Sequence, residues 1–153
     1  MANVKLVESL NQALSLELAG AIQYMQHSFL VTGVEREVYL KFFRAQSTEA
    51  HVHSEMLGDK IVALGGTPTV EPAMIRQSTA LAEMLRQDLE LERDAMKAYN
   101  AAWEACTDAE RATQFLLEER IAEEQLHIDE LEKMTSERQA SVTNERITLK
   151  QVV

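Results

Sequence analysis

Four long runs of helical periodicity each have a glutamate close to the midpoint of the run that falls among its hydrophobic residues: Glu17, Glu49, Glu92 and Glu124. No other feature constrains the fold as tightly. A helix buries one apolar stripe, and a carboxylate set into that stripe bears a heavy desolvation cost unless something neutralises it. Glu17 lies between Leu14 and Leu18 with Ala21 one turn on, and Glu124 lies on the Ile121–Ile128 stripe, with no basic residue beside Glu17. Something must therefore neutralise these acids.

The runs themselves are legible from spacing. The first, over residues 3–32, carries Val4, Val7, Leu10, Leu14, Leu18, Ala21, Ile22, Met25 and Phe29, and Gly33 closes it. The second starts near Glu35, carries Val38, Phe42, Ala45, Val52, Met56, Ile61 and Leu64, and stops at Gly65-Gly66-Thr67-Pro68. Residues 67–77 hold both prolines and little periodicity, which predicts a crossover long enough to return the chain along a bundle. Ser78 is the expected N-cap of a third helix through Leu81, Leu85, Leu89, Met96, Tyr99 and Trp103, ending near Cys106. Thr107 and Glu110 form a capping box for a fourth, past Phe115, Leu116, Ile121, Ile128 and Leu131 to about Met134.

The expected architecture is an all-α four-helix bundle over residues 1–135 with a long crossover between helices two and three, followed by a C-terminal tail, 136–153, of no clear apolar face. The 153 residues suffice for one core, and 5 Gly, 2 Pro and 46% hydrophobic residues favour helix throughout. Glu17 to Glu49 and Glu92 to Glu124 are both 32 residues apart, as two matching helical hairpins would give.

Composition narrows the partners. A formal charge of −10 with no cluster of Lys or Arg argues against a nucleic-acid backbone and leaves cations as the better ligand. The single cysteine, Cys106, excludes a disulfide framework and any thiolate metal site, and suits helix packing in a reducing compartment. No stretch approaches the ~18 uninterrupted apolar residues of a membrane span, so no membrane partner and a cytoplasmic location are expected.

Two histidines complete the constellation. His53 follows Glu49 by one turn, and Glu124-x-x-His127 places both side chains on one helix face. Four carboxylates and two imidazoles make an oxygen and nitrogen shell for two ions, which suits iron or manganese better than a thiolate-rich zinc site.

At these residues the chain resembles the bacterioferritins and, more loosely, the wider ferritin-like di-iron proteins, over roughly residues 3–134. The segment from Glu17 to Tyr24 is similar to the family's first-helix segment, in which the Glu is a terminal iron ligand and the Tyr lies beside the site. The segment from Asp88 to Glu92 resembles the third, and that from Glu123 to Glu132 the fourth, with a bridging Glu and a His at Glu124 and His127. The resemblance implies a ferritin-like bundle and a ferroxidase binding two irons per subunit at Glu17, Glu49, His53, Glu92, Glu124 and His127. Tyr24 is implied as a catalytic neighbour, and oxygen or hydrogen peroxide as the oxidant. It further implies a homo-oligomer, at least a dimer, with a multi-subunit iron-storage cage as the larger form.

The second helix departs from the family pattern. Aligned on His53, Ala50 stands where a bridging Glu belongs, and Glu49 is expected to take its place, at about 40° from the histidine instead of about 60° on the other side. His51 falls where the family has a haem-ligating Met, so haem is not expected. Ala45 replaces a His that in some bacterioferritins binds iron on the cage interior. Ala50 motivates a second reading, a non-catalytic subunit with an incomplete di-iron site that co-assembles with an active one, and the resemblance to the wider di-iron proteins permits a third, a di-iron oxidase or peroxidase acting outside a cage.

Overall fold

The computed structural model describes residues 3–136, and the tail expected from residue 136 onward lies almost wholly outside them. Four helices carry the described chain: α1 (Val4–Leu30), α2 (Arg36–Ala63), α3 (Leu81–Ala105) and α4 (Arg111–Thr135), the last entered through a single 3₁₀ turn, Asp108–Glu110. No strand occurs among the described residues, and none of these helices is long and apolar enough to cross a membrane.

Side chains tie down the ends of these elements. Asn3 caps α1 by accepting from the Leu6 N–H at 3.1 Å and donates to the Ala105 carbonyl at 2.8 Å, which pins the start of α1 to the end of α3. The Thr107–Glu110 capping box forms as expected, with the Thr107 N–H donating to the Glu110 carboxylate at 2.7 Å. Ser78 does not cap α3. Its hydroxyl accepts from the Ala80 N–H at 3.1 Å in a turn just ahead of the helix, and Ala80 is the residue at the cap.

The crossover runs extended along α1 and in the same direction. Asn11 donates to the Thr67 carbonyl at 3.1 Å, Ser15 accepts from the Ala73 N–H through its carbonyl at 2.8 Å, and Gln23 accepts from the Arg76 N–H at 2.9 Å. The chain thus climbs back alongside α1 before α3 descends. α1 packs antiparallel against both α2 and α3, and α3 against α4. This is the predicted topology, with its reason visible: the backbone groups of a proline-bearing stretch find partners on the Asn11 and Gln23 side chains and the Ser15 carbonyl of α1.

Two apolar clusters fill the bundle. One holds Leu6, Leu10, Leu14, Leu57, Ile61 and Tyr99 with their neighbours, and the other holds Tyr24, Phe43, Met84, Leu85, Ile128 and Leu131. Each fully buried Leu or Ile contributes roughly 1.5–3 kcal/mol. Glu17, His53, Glu92 and Glu124 are buried in positions along the helices between the residues of the two clusters. The polar layer therefore interrupts a core that is otherwise continuous.

Several residues read as core are not. Val4, Ile22, Met25 and Phe29 of α1 are exposed, as are Val38, Ala45 and Val52 of α2 and Phe115 of α4. The face of α1 that is buried runs through Leu6, Leu10, Ala13, Glu17, Gly20, Tyr24, His27 and Val31, so it contains polar residues that an apolar count skips. Cys106 is half-buried and packs against the first cluster, and Trp103 lies at the surface, its indole N–H donating to Glu118 at 3.0 Å.

Candidate metal centre

The middle turns of the four helices bring the six expected residues together. Glu17 comes from α1, Glu49 and His53 from α2, Glu92 from α3, and Glu124 and His127 from α4. Two triads share one carboxylate: Glu17, His53 and Glu124 have ligand atoms within 4.8 Å of one another, and so have Glu92, Glu124 and His127. Each triad has one imidazole and two carboxylates, and Glu124 belongs to both. A shared carboxylate between two histidine-bearing positions is the arrangement that holds two cations close together.

Two tyrosines hold the terminal carboxylates. The Tyr24 hydroxyl donates to Glu92 Oε1, and the Tyr99 hydroxyl donates to Glu17 Oε1 at 2.5 Å. Burial, and then the charge of the carboxylate each one serves, pushes both phenols well above their ordinary range, so they remain donors. His53 Nδ1 lies 3.1 Å from Glu17 Oε1 and 3.8 Å from Glu124 Oε1. Burial disfavours a charged ring there, but the hydrogen bond and charge of Glu17 outweigh it and raise the His53 pKa.

Glu124 is the most strongly perturbed acid. It is 1% exposed, its Oε2 has no hydrogen-bond partner, and burial followed by the charge of Glu92 pushes its pKa up to about 12. Glu17 shifts upward also, again chiefly through burial. Three carboxyl groups packed this closely cannot all stay ionised without a counter-ion, and Arg120, beside them, reaches the outer edge of His53 and Glu123 instead of these three acids. The donor set therefore fits cations of hard character, such as iron.

Ala50, standing where a bridging acid was expected, is buried against Gly20: a Cβ at Gly20 would lie 3.4 Å from the Ala50 Cβ. Glu49 sits elsewhere. Its carboxylate is 3.3 Å from His127 Nε2 and 3.9 Å from His53 Nε2, and its side chain is 36% exposed. It thus faces His53 on the ring edge opposite to Glu17 and Glu124. His51 points outward and pairs with Glu55 at 3.2 Å.

The family profile described as a ferritin-like domain matches residues 7–139. The chain belongs to the ferritin-like family. It is 35% identical over 132 residues to a bacterioferritin of Brucella melitensis biotype 1, across 84% of this chain and 81% of that protein. A bacterioferritin of Streptomyces coelicolor is 30% identical over 130 residues, across 84% and 78% of the two chains. Among solved structures, a ferritin-like diiron-carboxylate protein of Bacillus anthracis str. Ames superposes with a TM-score of 0.84 at 30% identity, over 88% of this chain and 97% of that one. The bacterioferritin of Rhodobacter capsulatus, whose structure has a metal-free dinuclear site and haem iron, gives 0.78 at 29% identity, over 87% and 84%.

Three residues of this ferritin-like centre escaped the sequence reading. Tyr99 stands seven residues, two helical turns, after Glu92, a spacing that marks it as a neighbour of the same layer. Arg120 stands four before Glu124, again on one face, and Glu123 precedes Glu124 directly. Arg120 Nη1 lies 3.0 Å from His53 Nε2 and 2.6 Å from Glu123 Oε2, while Glu123 Oε2 lies 3.2 Å from the same ring nitrogen. Contact across the bundle, between α2 and α4, gives these residues their meaning, and periodicity along one helix does not report it.

Proposed function

We propose that this chain is a ferroxidase that takes two Fe(II) ions as substrate and oxidises them to Fe(III) for storage or detoxification. The observation that carries the reading is the single buried carboxylate, Glu124, common to two histidine-bearing triads. One ion would be held by Glu17, His53 and Glu124, the other by Glu92, Glu124 and His127. With Glu49 the set has four carboxylates, matching the four positive charges of two Fe(II), so Glu49 supplies the charge that Ala50 cannot. Its contacts with both imidazoles make it a brace for the two rings as well as a reserve ligand.

The residues perform recognisable tasks. The carboxylates are hard donors and favour the ferric over the ferrous state. Tyr24 and Tyr99 fix the orientation of Glu92 and Glu17, and Tyr24 is the phenol assigned the catalytic part, holding Glu92 beside the reacting ions through its hydrogen bond. Two Fe(II) release two electrons, which with two protons reduce O₂ to H₂O₂, or reduce H₂O₂ to two waters. The protons held by the buried carboxyls of the metal-free site leave as the cations enter.

Supporting an oligomer, Ile22, Met25 and Phe29 of α1 form an exposed apolar row at helical spacing, with Phe29 60% exposed. At least a dimer is assigned, and the cage implied by the resemblance is the larger form. Size-exclusion chromatography with light scattering checks this: a many-subunit particle fits storage, whereas a particle of only two subunits moves the activity outside a cage. A cytoplasmic location accords with the lone cysteine and belongs to the same reading.

Ala50 and Arg120 together favour a second reading, a co-assembling subunit of little activity. The test is to load metal-free protein with Fe(II) anaerobically, admit oxygen and follow ferric absorbance. Rapid oxidation that saturates near two irons per chain, and is lost in Glu124→Ala, is expected. Oxidation no faster than in buffer would give the second reading the field.

A further inference from the structure

The two halves of the centre are unequal, and the inequality comes from one side chain. Arg120 projects from α4 to the rim of the site, 19% exposed, with Nη1 against both Glu123 Oε2 and His53 Nε2. A guanidinium only donates hydrogen bonds and keeps its charge at any physiological pH. The groups facing His53 are Glu17 and Glu124 on the Nδ1 edge and Glu49, Glu123 and Arg120 on the Nε2 edge.

A guanidinium donating to Nε2 requires the ring form that carries its hydrogen on the other nitrogen, Nδ1, 3.1 Å from Glu17 Oε1. That is the nitrogen a cation held by Glu17 and Glu124 would use. For the cation to bind, Nδ1 must present its lone pair, and a neutral ring then carries its hydrogen on Nε2. Two donors, Nε2–H and the guanidinium, would face each other at 3.0 Å. Arg120 must swing off the ring, leaving Glu123 Oε2, 3.2 Å from Nε2, to accept that hydrogen. The other imidazole meets no such opposition: His127 Nε2 faces the carboxylate of Glu49 at 3.3 Å, an acceptor ready for an Nε2–H.

We propose that Arg120 is a positioning residue that sets the order of metal uptake, latching His53 away from the metal so that the Glu92–Glu124–His127 position fills first and the Glu17–His53–Glu124 position fills second and more weakly. Glu123 is the catch that receives the ring hydrogen when the latch opens. The inference rests on the di-metal reading of the site but not on oxidation of iron. The positive charge of Arg120 acts in the same direction as its hydrogen bond, since a cation at the rim opposes a second cation at its nearer neighbour.

The probe is Co(II), added with oxygen excluded to the full-length metal-free chain and followed by its visible bands and by calorimetry. The wild type is expected to bind one equivalent tightly and a second at least about tenfold more weakly. In Arg120→Ala the second phase should tighten until the two merge, while Arg120→Lys, which keeps the charge, should retain part of the gap. His53→Ala should delete only the weak phase and His127→Ala the tight one, and unchanged circular dichroism would show that each variant is folded. Two equal tight sites in the wild type, or an unchanged weak phase in Arg120→Ala, would overturn the latch while leaving the metal site standing. No Co(II) bound by any of these proteins would remove both.

Discussion

A buried acid such as Glu124 stores its chemistry in the form of a proton. In the metal-free protein its pKa is raised to about 12 by burial and then by Glu92, against about 4.5 for an ordinary glutamate. The folded state therefore holds this proton more tightly than the unfolded one. The associated stability is fully present below the ordinary glutamate pKa and is lost as pH rises toward the folded value. Glu17 and Asp88, raised chiefly by burial, push in the same direction. Metal-free protein should accordingly melt at least about 5 °C lower at pH 9 than at pH 5, in thermal scans. Glu124→Gln, which cannot ionise, should flatten that slope while abolishing tight metal binding. A metal-free melting point that rises with pH would contradict the assignment of Glu124 as a buried protonated acid.

Elements meet where side chains are small or polar partners are matched. Gln23, His27 and Asp88 join α1 to α3 in a fully buried network, with Gln23 donating to Asp88 Oδ1 at 2.9 Å and His27 Nδ1 3.1 Å from Oδ2. Gly66, where α2 hands over to the crossover, is a close approach: an added Cβ would lie 2.5 Å from Val7 Cγ1 and 3.0 Å from Ile61 Cγ2. Both neighbours are β-branched and held by the packing, so they yield little. Gly66→Ala should cost about 1–3 kcal/mol in urea unfolding. The same substitution at Gly58, where an added Cβ meets nothing within 4 Å, should cost nothing and in helix is mildly favourable.

At the scale of the whole molecule, the bundle is a core divided by a charged layer, and the layer is stabilised by whatever neutralises it. Cations that bind only the folded state raise its stability by about 2.7 kcal/mol at a hundredfold excess over the dissociation constant. Melting temperature should climb with Co(II) or anaerobic Fe(II) concentration in the parent and stay flat in Glu124→Ala, as differential scanning calorimetry would record. A parent protein whose melting point ignores both metals would place no cation in the layer.

The sequence by itself determined the helices, the long crossover and the acidic layer, because each rests on local rules: helical spacing, Gly and Pro punctuation, and the cost of a carboxylate on an apolar stripe. Glu17 and Glu124 were legible for that reason, set into apolar stripes, and His53 and His127 were legible from their one-turn spacing after Glu49 and Glu124. Which hydrophobic residues are core was less legible. Phe29 and Val52 carry helical spacing yet face outward, while Gln23, His27 and Asp88 lie inside, since a helix with apolar residues on more than one face does not say which face its neighbours will cover. Tertiary structure alone decided that Glu49 reaches the outer edges of both histidines, that Ala50 packs against Gly20, and that Arg120 and Glu123 compete for His53. Those relations join α1 to α2 and α2 to α4, and a contact between residues 67 positions apart, as for His53 and Arg120, leaves no trace in the periodicity of either helix.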